Sequence, residues 1–203
     1  MYVIKVHHAG ACPEELYAFR YRIYVEEMNR PQRYACHETR TIRDGLDDMG
    51  HQCVAYYDGE IVACIRGNSA REWGVGEYFE FYELDQLSPN RLAETCVCTR
   101  LMVAREHRHR TLTVDLLKAL YRHGLETGHS LCYMDCNRHL EVFFRKFGYR
   151  PLFNKNHYDY GDVSVMRLDM TDMTKLKTVG SPFAEELADF MSARPILGAA
   201  ARA

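Results

Sequence analysis

Between Thr99 and Leu117 the chain reads Thr-Arg-Leu-Met-Val-Ala-Arg-Glu-His-Arg-His-Arg-Thr-Leu-Thr-Val-Asp-Leu-Leu. An apolar strand, a basic turn and a helix start follow one another. The first turn of a helix leaves backbone N–H groups without intrahelical partners and concentrates partial positive charge. Such a junction can hold a phosphate or a pantetheine carbonyl without a dedicated side chain. The chemistry to which it points is acyl transfer from a thioester.

Leu101 and Val103 in the strand and Arg108 in the turn resemble the Leu-x-Val strand and basic turn of motif A in the GNAT acyltransferase superfamily. The resemblance implies an α/β fold with a central mixed β-sheet flanked by helices. It also implies a donor site drawn from Leu101, Met102, Val103, Arg108, Arg110, Thr111 and Thr113. The pattern departs from the superfamily where glycines are expected, because His109, Thr111 and Thr113 fill those positions. Glycine lets backbone approach a phosphate closely, so its loss weakens the case for a tight CoA pyrophosphate cradle. An acyl carrier protein, whose phosphopantetheine has a single phosphate, becomes a competing donor to acyl-CoA. Downstream, Leu131–Cys136 with Asn137, and then Val142–Tyr149, look like the strand and helix of motif B, which adds Phe143 and Phe144 to the donor set. Many acetyltransferases carry a tyrosine acid for the departing thiolate at the position of Phe144. The alternative for both phenylalanines is an apolar helix face packed on the sheet.

Arg20-Tyr21-Arg22-Ile23-Tyr24, Asp44-Gly45-Leu46-Asp47-Asp48, Arg66 and Arg100 resemble the N-terminal half of acyl-homoserine-lactone synthases and of the related long-chain N-acyl amino acid synthases. In that group an Arg and an aromatic four apart, an Asp-x-x-Asp pair and two further arginines shape the acceptor site. Arg20 with Tyr24, Asp44 with Asp47, Arg66 and Arg100 match residue by residue. Guanidinium groups can grip a carboxylate bidentately and carboxylates can hold an ammonium, which suits an amino-acid-like acceptor. The competing reading is an Arg–Asp network that pins a long loop to the sheet. Lactone synthases typically carry a glutamate three residues before the strand arginine and a tryptophan after the first helix. Val97 and Arg30 stand there instead. Both favour an acceptor other than S-adenosylmethionine, with Arg30 part of the acceptor set.

The expected reaction is attack by an amine on the thioester carbonyl. A backbone N–H near Met102 or Val103 stabilises the oxyanion before the thiolate is expelled. Glu94 is the nearest acidic candidate for the base and Asp47 competes with it. Glu94 also reads as a solvated residue at a strand start. With a thiolate leaving group, protonation can come from solvent or from the ammonium formed by attack.

These residues need elements to position them. Tyr2–Val6 reads as a strand, and a helix runs from Pro13 to about Met28 with acids at its positive end. Residues 29–50 carry little periodicity and read as a functional loop or lid, with disorder as the alternative. Gln52–Tyr57 and Glu60–Arg66 flank Asp58-Gly59, the signature of a two-residue hairpin turn. Residues 73–87 read as loop with a short helix. Strands follow at Thr95–Val103, Leu131–Asp135 and Val163–Leu168, with helices at Thr111–Thr127, Arg138–Phe147 and Ser181–Met191. One helical crossover joins two strands expected to be parallel.

At 203 residues, 47% apolar and 27% charged, the chain can bury one substantial core. The expected organisation is a single GNAT-like domain over residues 1–194 with a frayed tail at 195–203. A net charge of −2 gives no global case for nucleic acid. The run Arg105–Arg110 is a local basic patch, either a solvated turn or a dock for an acidic carrier. No stretch is apolar and long enough to span a bilayer and no signal peptide is evident, so a cytoplasmic protein is expected. The eight cysteines lack a disulfide framework and read as reduced, buried hydrophobes. Cys96-x-Cys98 and Cys132-x-x-x-Cys136 can converge on neighbouring strands, but neither is the usual zinc knuckle, and no metal is expected.

The leading reading is an N-acyltransferase that moves a medium or long acyl chain from acyl carrier protein or acyl-CoA to a small amine, with no tightly bound cofactor. Competing readings are a homoserine-lactone synthase, an acetyl-CoA N-acetyltransferase and a non-catalytic acyl- or carrier-binding module.

Overall fold

The computed structural model describes residues 1–71, 74–108 and 111–193. Arg110 and His109 of the basic turn, Trp73 and the tail at 195–203 lie outside the described residues. The strands are β1 (Tyr2–His7), β2 (Ala35–Cys36), β3 (Thr41–Ile42), β4 (His51–Tyr57), β5 (Glu60–Ser69), β6 (Thr95–Val103), β7 (Leu131–Asn137), β8 (Arg150–His157) and β9 (Gly161–Asp169). The helices are α1 (Glu15–Tyr21), α2 (Tyr78–Phe81), α3 (Pro89–Ala93), α4 (Leu112–Glu126), α5 (Glu141–Arg145), α6 (Met173–Thr178) and α7 (Phe183–Ala193).

Seven strands form one mixed sheet in the order β1-β4-β5-β6-β7-β9-β8, and β2 pairs with β3 separately. The β4–β5 hairpin closes through Asp58 at φ 51° and Gly59 at φ 88°. Both residues take the left-handed conformation that a type I′ turn requires and that Asp-Gly tolerates. Only β6 and β7 run parallel, and α4 makes the crossover between them. The apolar stripe of α4 repeats at Leu112, Leu116 and Leu120 and at Leu117, Tyr121 and Leu125, the spacing of one helical face. All six are buried in the core cluster on that side of the sheet. α7 covers α4 from outside, with Phe183 stacked on Tyr121 at 4.2 Å between ring centroids.

Along each strand, side chains alternate between the two faces. Cys96, Cys132, Met134 and Cys136 point to the α4 side. Val97 and Tyr133 point to the other, with Tyr78 and Tyr82.

The structure revises several sequence expectations. The first helix continues past Tyr21 as a π-helical turn, Arg22–Glu27, in which the Met28 N–H reaches the Ile23 carbonyl at 3.0 Å. Residues 29–50 are no open loop or lid. They form the β2–β3 hairpin and a 3-10 turn, Gly45–Asp48, and bury Ile42 and Asp47 completely. The helix expected over Arg138–Phe147 splits into a 3-10 turn at Arg138–Leu140 and α5. β8 is an edge strand whose alternation is weak in hydropathy because its more buried positions include Pro151, Lys155 and His157 while Leu152 is exposed, and α3 and α6 are too short to show a helical period.

Candidate active site

β6 has nine residues and β7 seven, yet they pair at three positions only: Thr95 with Leu131, Cys96 with Cys132, and Val97 with Tyr133. Beyond Val97 the strands part, while each stays paired to its outer neighbour. The facing backbone groups of the later residues are left for a ligand to satisfy. A cavity of about 530 Å³ fills this opening.

A β-bulge helps to open it. Arg66 pairs with Thr99 and Cys64 with Met102, so β6 carries Arg100 and Leu101 opposite Ile65 alone. Arg100 takes φ 59°, a conformation that a residue with a Cβ adopts at a cost of roughly 1–2 kcal/mol. The Ala104 N–H donates to the Val62 carbonyl at 2.8 Å, so strand alternation turns the backbone of Met102 toward β5 and that of Val103 toward the opening. The Arg108 Nε–H caps the Val103 carbonyl at 3.0 Å, and its other end pairs with Glu27. The Val103 N–H therefore faces the opening, and the Met102 N–H faces β5.

The two sides of the opening differ in chemistry. On the α4 side the cavity meets Leu117, Thr113, Met134, Phe143, Phe144 and Tyr149. Phe144 is also buried in the core, so it serves both as packing and as cavity wall. Thr111 does not reach the cavity; its hydroxyl donates to Asp115 at 3.3 Å. Among the described residues no side chain caps the N-terminus of α4, which leaves its first N–H groups available.

On the α1 side stand Tyr24, Arg30, Tyr78, Arg100, Asp135 and Tyr160. Arg100 donates to Asp44 Oδ2 at 2.8 Å and to Gln32 Oε1 at 3.0 Å, and its guanidinium lies 5.9 Å from the Tyr24 ring centre. Arg30 has no ion-pair or side-chain hydrogen-bond partner among the described residues.

Arg20, Asp44, Asp47 and Arg66 lie behind this wall instead of in it. Asp44 and Asp47 form a capping box on the 3-10 turn: Asp44 Oδ1 accepts from the Leu46 N–H at 3.0 Å, and Asp47 Oδ2 accepts from the Asp44 N–H at 2.9 Å. Asp47 also accepts from Arg20 at 2.8 Å, from Arg66 at 2.9 Å and from Gln52 at 3.0 Å. Arg66 reaches Asp44 as well, at 2.5 Å. With Asp47 fully buried and both of its oxygens occupied, it has no lone pair to offer an incoming amine. Burial alone would raise the Asp44 carboxyl, but Arg66 and Arg100 outweigh it and hold it well below the usual carboxylate range. Three arginines (Arg20, Arg66, Arg100) against two aspartates leave one positive charge over. Nε of Arg20 and of Arg100 and one Nη of Arg66 are buried without partners.

Glu94 lies outside the site. It caps α3 at the start of β6, at the opposite end of the strand from Val103, and accepts from Ser130 at 2.6 Å. Nine residues of strand span roughly 30 Å, which removes it as a base.

The carboxylate that does line the cavity is Asp135. One oxygen accepts from the Tyr82 hydroxyl at 2.6 Å; the other has no hydrogen-bond partner among the described residues. Burial pushes this carboxyl up, against the opposing pull of Tyr82, His157 and Arg100. His157 packs on Tyr160 with ring centroids 4.5 Å apart. Asp135 had a signal in the sequence, as the one charged residue in the apolar run Leu131–Cys136. Val97, where related lactone synthases carry glutamate, is buried against Tyr82 and Tyr133.

A mixed sheet parted between its two parallel strands, with an apolar side and a charged side meeting in the gap, is the arrangement of the GNAT acyltransferase fold. The chain belongs to the N-acyl amino acid synthase FeeM family, whose model matches residues 15–170. It is an N-acyltransferase. FeeM itself, an N-acyl amino acid synthase from uncultured soil microbes, superposes with a TM-score of 0.66 at 12% identity, over 91% of this chain and 97% of that one. BjaI, a CoA-dependent acyl-homoserine lactone synthase solved with MTA, gives 0.69 at 17% identity, over 90% and 91%. An acyl-CoA N-acyltransferase from Pseudomonas aeruginosa gives 0.58 at 20% identity, over 83% and 99%. No curated protein matches the chain in sequence. Among the described residues no helix is long and apolar enough to cross a membrane.

Proposed function

We propose that the protein transfers a medium or long acyl chain from a phosphopantetheine thioester to the amine of a small amino-acid-like acceptor in the cytoplasm. The observation that carries this reading is the two-sided opening between β6 and β7, apolar toward α4 and charged toward α1. The donor arm adds to the free backbone edge of β6 as a further strand would. Its phosphate lies toward the uncapped start of α4 and Arg108. The acyl chain follows Leu117, Met134, Phe143 and Phe144.

The acceptor enters from the other side. Its carboxylate is drawn by the surplus positive charge at Arg100 and by Arg30. Asp135 takes the first proton from the ammonium. The freed amine attacks the thioester carbonyl, and Val103 N–H holds the oxyanion. The C–S bond then breaks. The thiolate carries off the second amine proton, so amide and thiol form with one proton left on Asp135.

S-adenosylmethionine as acceptor is the second reading. Tyr24, Tyr78 and Tyr160 around Arg100 are favoured by a sulfonium through cation–π attraction. Thiol release from acyl-CoA and acyl carrier protein donors of graded length, against a pool of amino acids, amines and S-adenosylmethionine with mass detection, tests both. An N-acyl amino acid without methylthioadenosine is the expected product. Methylthioadenosine with an acyl lactone selects the second reading, and acetyl transfer alone refutes the long-chain donor.

A further inference from the structure

Three thiols converge on the α4 face of the sheet at the last rung before β6 and β7 part. Cys96 and Cys132 are register partners across the parallel pair, and Cys98 follows two residues on along the same face. Their sulfurs all lie within 4.8 Å of one another. Cys98 Sγ is 3.0 Å from Cys132 Sγ, and the latter is 3.1 Å from the Tyr149 hydroxyl. A second, smaller cavity of about 90 Å³ meets all three and runs out to His51 and His123. These two rings are 4.5 Å apart, and His51 Nδ1 and His123 Nε2 are buried without hydrogen-bond partners.

Buried thiols that served only as small hydrophobes would have no need to share one cavity with unsatisfied imidazole nitrogens. Thiolate and imidazole together are the donor set of a borderline-soft cation. We propose that Cys96, Cys98 and Cys132 form a binding site for a divalent zinc-class ion, with the fourth coordination position facing the smaller cavity. Zinc–sulfur bonds of about 2.3 Å place tetrahedral ligand sulfurs roughly 3.8 Å apart. The present spacings, 3.0 Å for Cys98–Cys132 and at most 4.8 Å for any pair, bracket that value, so side-chain rotation suffices. Binding displaces the thiol protons to solvent, and the unpaired imidazoles mark the way in.

The ion would join β6 to β7 at the vertex of the opening. Cys98 lines the donor cavity as well as the smaller one, so the same ion would fix the floor of the acyl site. The site is independent of the acceptor assignment, and its test does not rely on turnover.

The full chain, reduced and dialysed against metal-free buffer, is titrated with Zn(II) against a chromophoric chelator and with Co(II). One ion per chain is expected, with thiolate-to-Co(II) charge transfer in the near ultraviolet and a strong visible band of tetrahedral Co(II). Cys132→Ser and, separately, Cys98→Ser should each weaken binding at least a hundredfold while circular dichroism stays native. Cys136→Ser should bind as the wild type does, because that sulfur sits beside Met166 Sδ at 3.6 Å and outside the cluster. Cys98→Ser keeps the test decisive if the more buried Cys132 variant fails to fold. Wild-type binding no tighter than in both serine variants overturns the site. So does isolation of the native chain with Cys98 and Cys132 joined as a disulfide.

Discussion

Asp135 is a carboxylate held by one hydroxyl on a wall of a cavity that also holds Arg100. Its elevated pKa makes it a better base than a solvated carboxylate and makes its ionised form a burden to the folded chain. A carboxyl raised in the folded state binds its proton more tightly there, so folding loses stability as pH rises through its titration. Asp135→Asn is expected to lower kcat by about 10²- to 10⁴-fold without loss of thermal stability at neutral pH. The wild type should show an acidic limb in kcat/KM centred above the ordinary carboxylate range, and the variant should lack it. A variant that unfolds instead, or keeps its acidic limb, would make Asp135 a packing residue. Arg30 differs from Arg100 and Arg108, the other arginines on the cavity, because it has no ion-pair partner among the described residues. Arg30→Ala should raise the acceptor KM by roughly 10- to 100-fold, the worth of one charged hydrogen bond, with kcat little changed. Steady-state kinetics with acceptor varied at saturating donor measure this; an unchanged KM removes Arg30 from the acceptor site.

At the scale of elements, the 3-10 turn at Gly45–Asp48 decides what the Asp-x-x-Asp pattern does. Both carboxylates cap that turn and tie it to α1 through Arg20 and to β5 through Arg66. Asp47→Ala would leave the buried Arg20 guanidinium without a carboxylate and Arg66 with Asp44 alone, and breaking such a network costs about 3–5 kcal/mol. Denaturant unfolding should register this as a lower midpoint. An Asp47→Ala protein of full stability and no activity would return Asp47 to the acceptor site. The sequence pattern was legible as a charged constellation, but its split into a buried brace and a cavity wall was not. Arg20 and Asp47 are separated by 27 residues, and Arg100 and Asp44 by 56, so nothing local states which cation saturates which anion.

At the scale of the molecule, the brace gives stability a pH dependence. Asp44 is depressed in the folded chain, so its contribution is complete above its unfolded value of about 3.9 and is lost as pH falls through the lower folded value. The melting temperature should therefore hold nearly level from neutral pH down to about pH 5 and drop below about pH 4. Asp44→Asn should flatten that drop, and an identical profile in wild type and variant would place the acid sensitivity elsewhere. The basic turn meets the donor at the same scale. Arg108 is committed to Val103 and Glu27, which leaves Arg105 as the arginine without an ion-pair partner in the described part of the turn. Charge reversal at Arg105 and Arg110 should raise KM for an acyl carrier protein donor about tenfold at low salt and change that for free acyl-CoA far less. Equal effects on both donors would assign the turn to pantetheine phosphate instead of carrier docking.

What the sequence determined by itself was local. Asp58-Gly59 demands a left-handed turn, leucines four apart demand a buried helical face, and an apolar strand running through a basic turn into a helix leaves N–H groups that can hold an anion. Each is a contest among neighbours along the chain, decided by φ, by periodicity or by unpaired N–H groups. The tertiary structure alone decided the rest. The parting of β6 and β7 after three rungs brings Asp135 to face Arg100 across a gap and leaves Glu94 at the far end of the strand. The same parallel register gathers Cys96, Cys98 and Cys132 at its vertex. Sheet order and register are set by packing of the whole chain, so the cysteine spacings allowed convergence on neighbouring strands but did not state which sulfurs meet or which residues face each other across the gap.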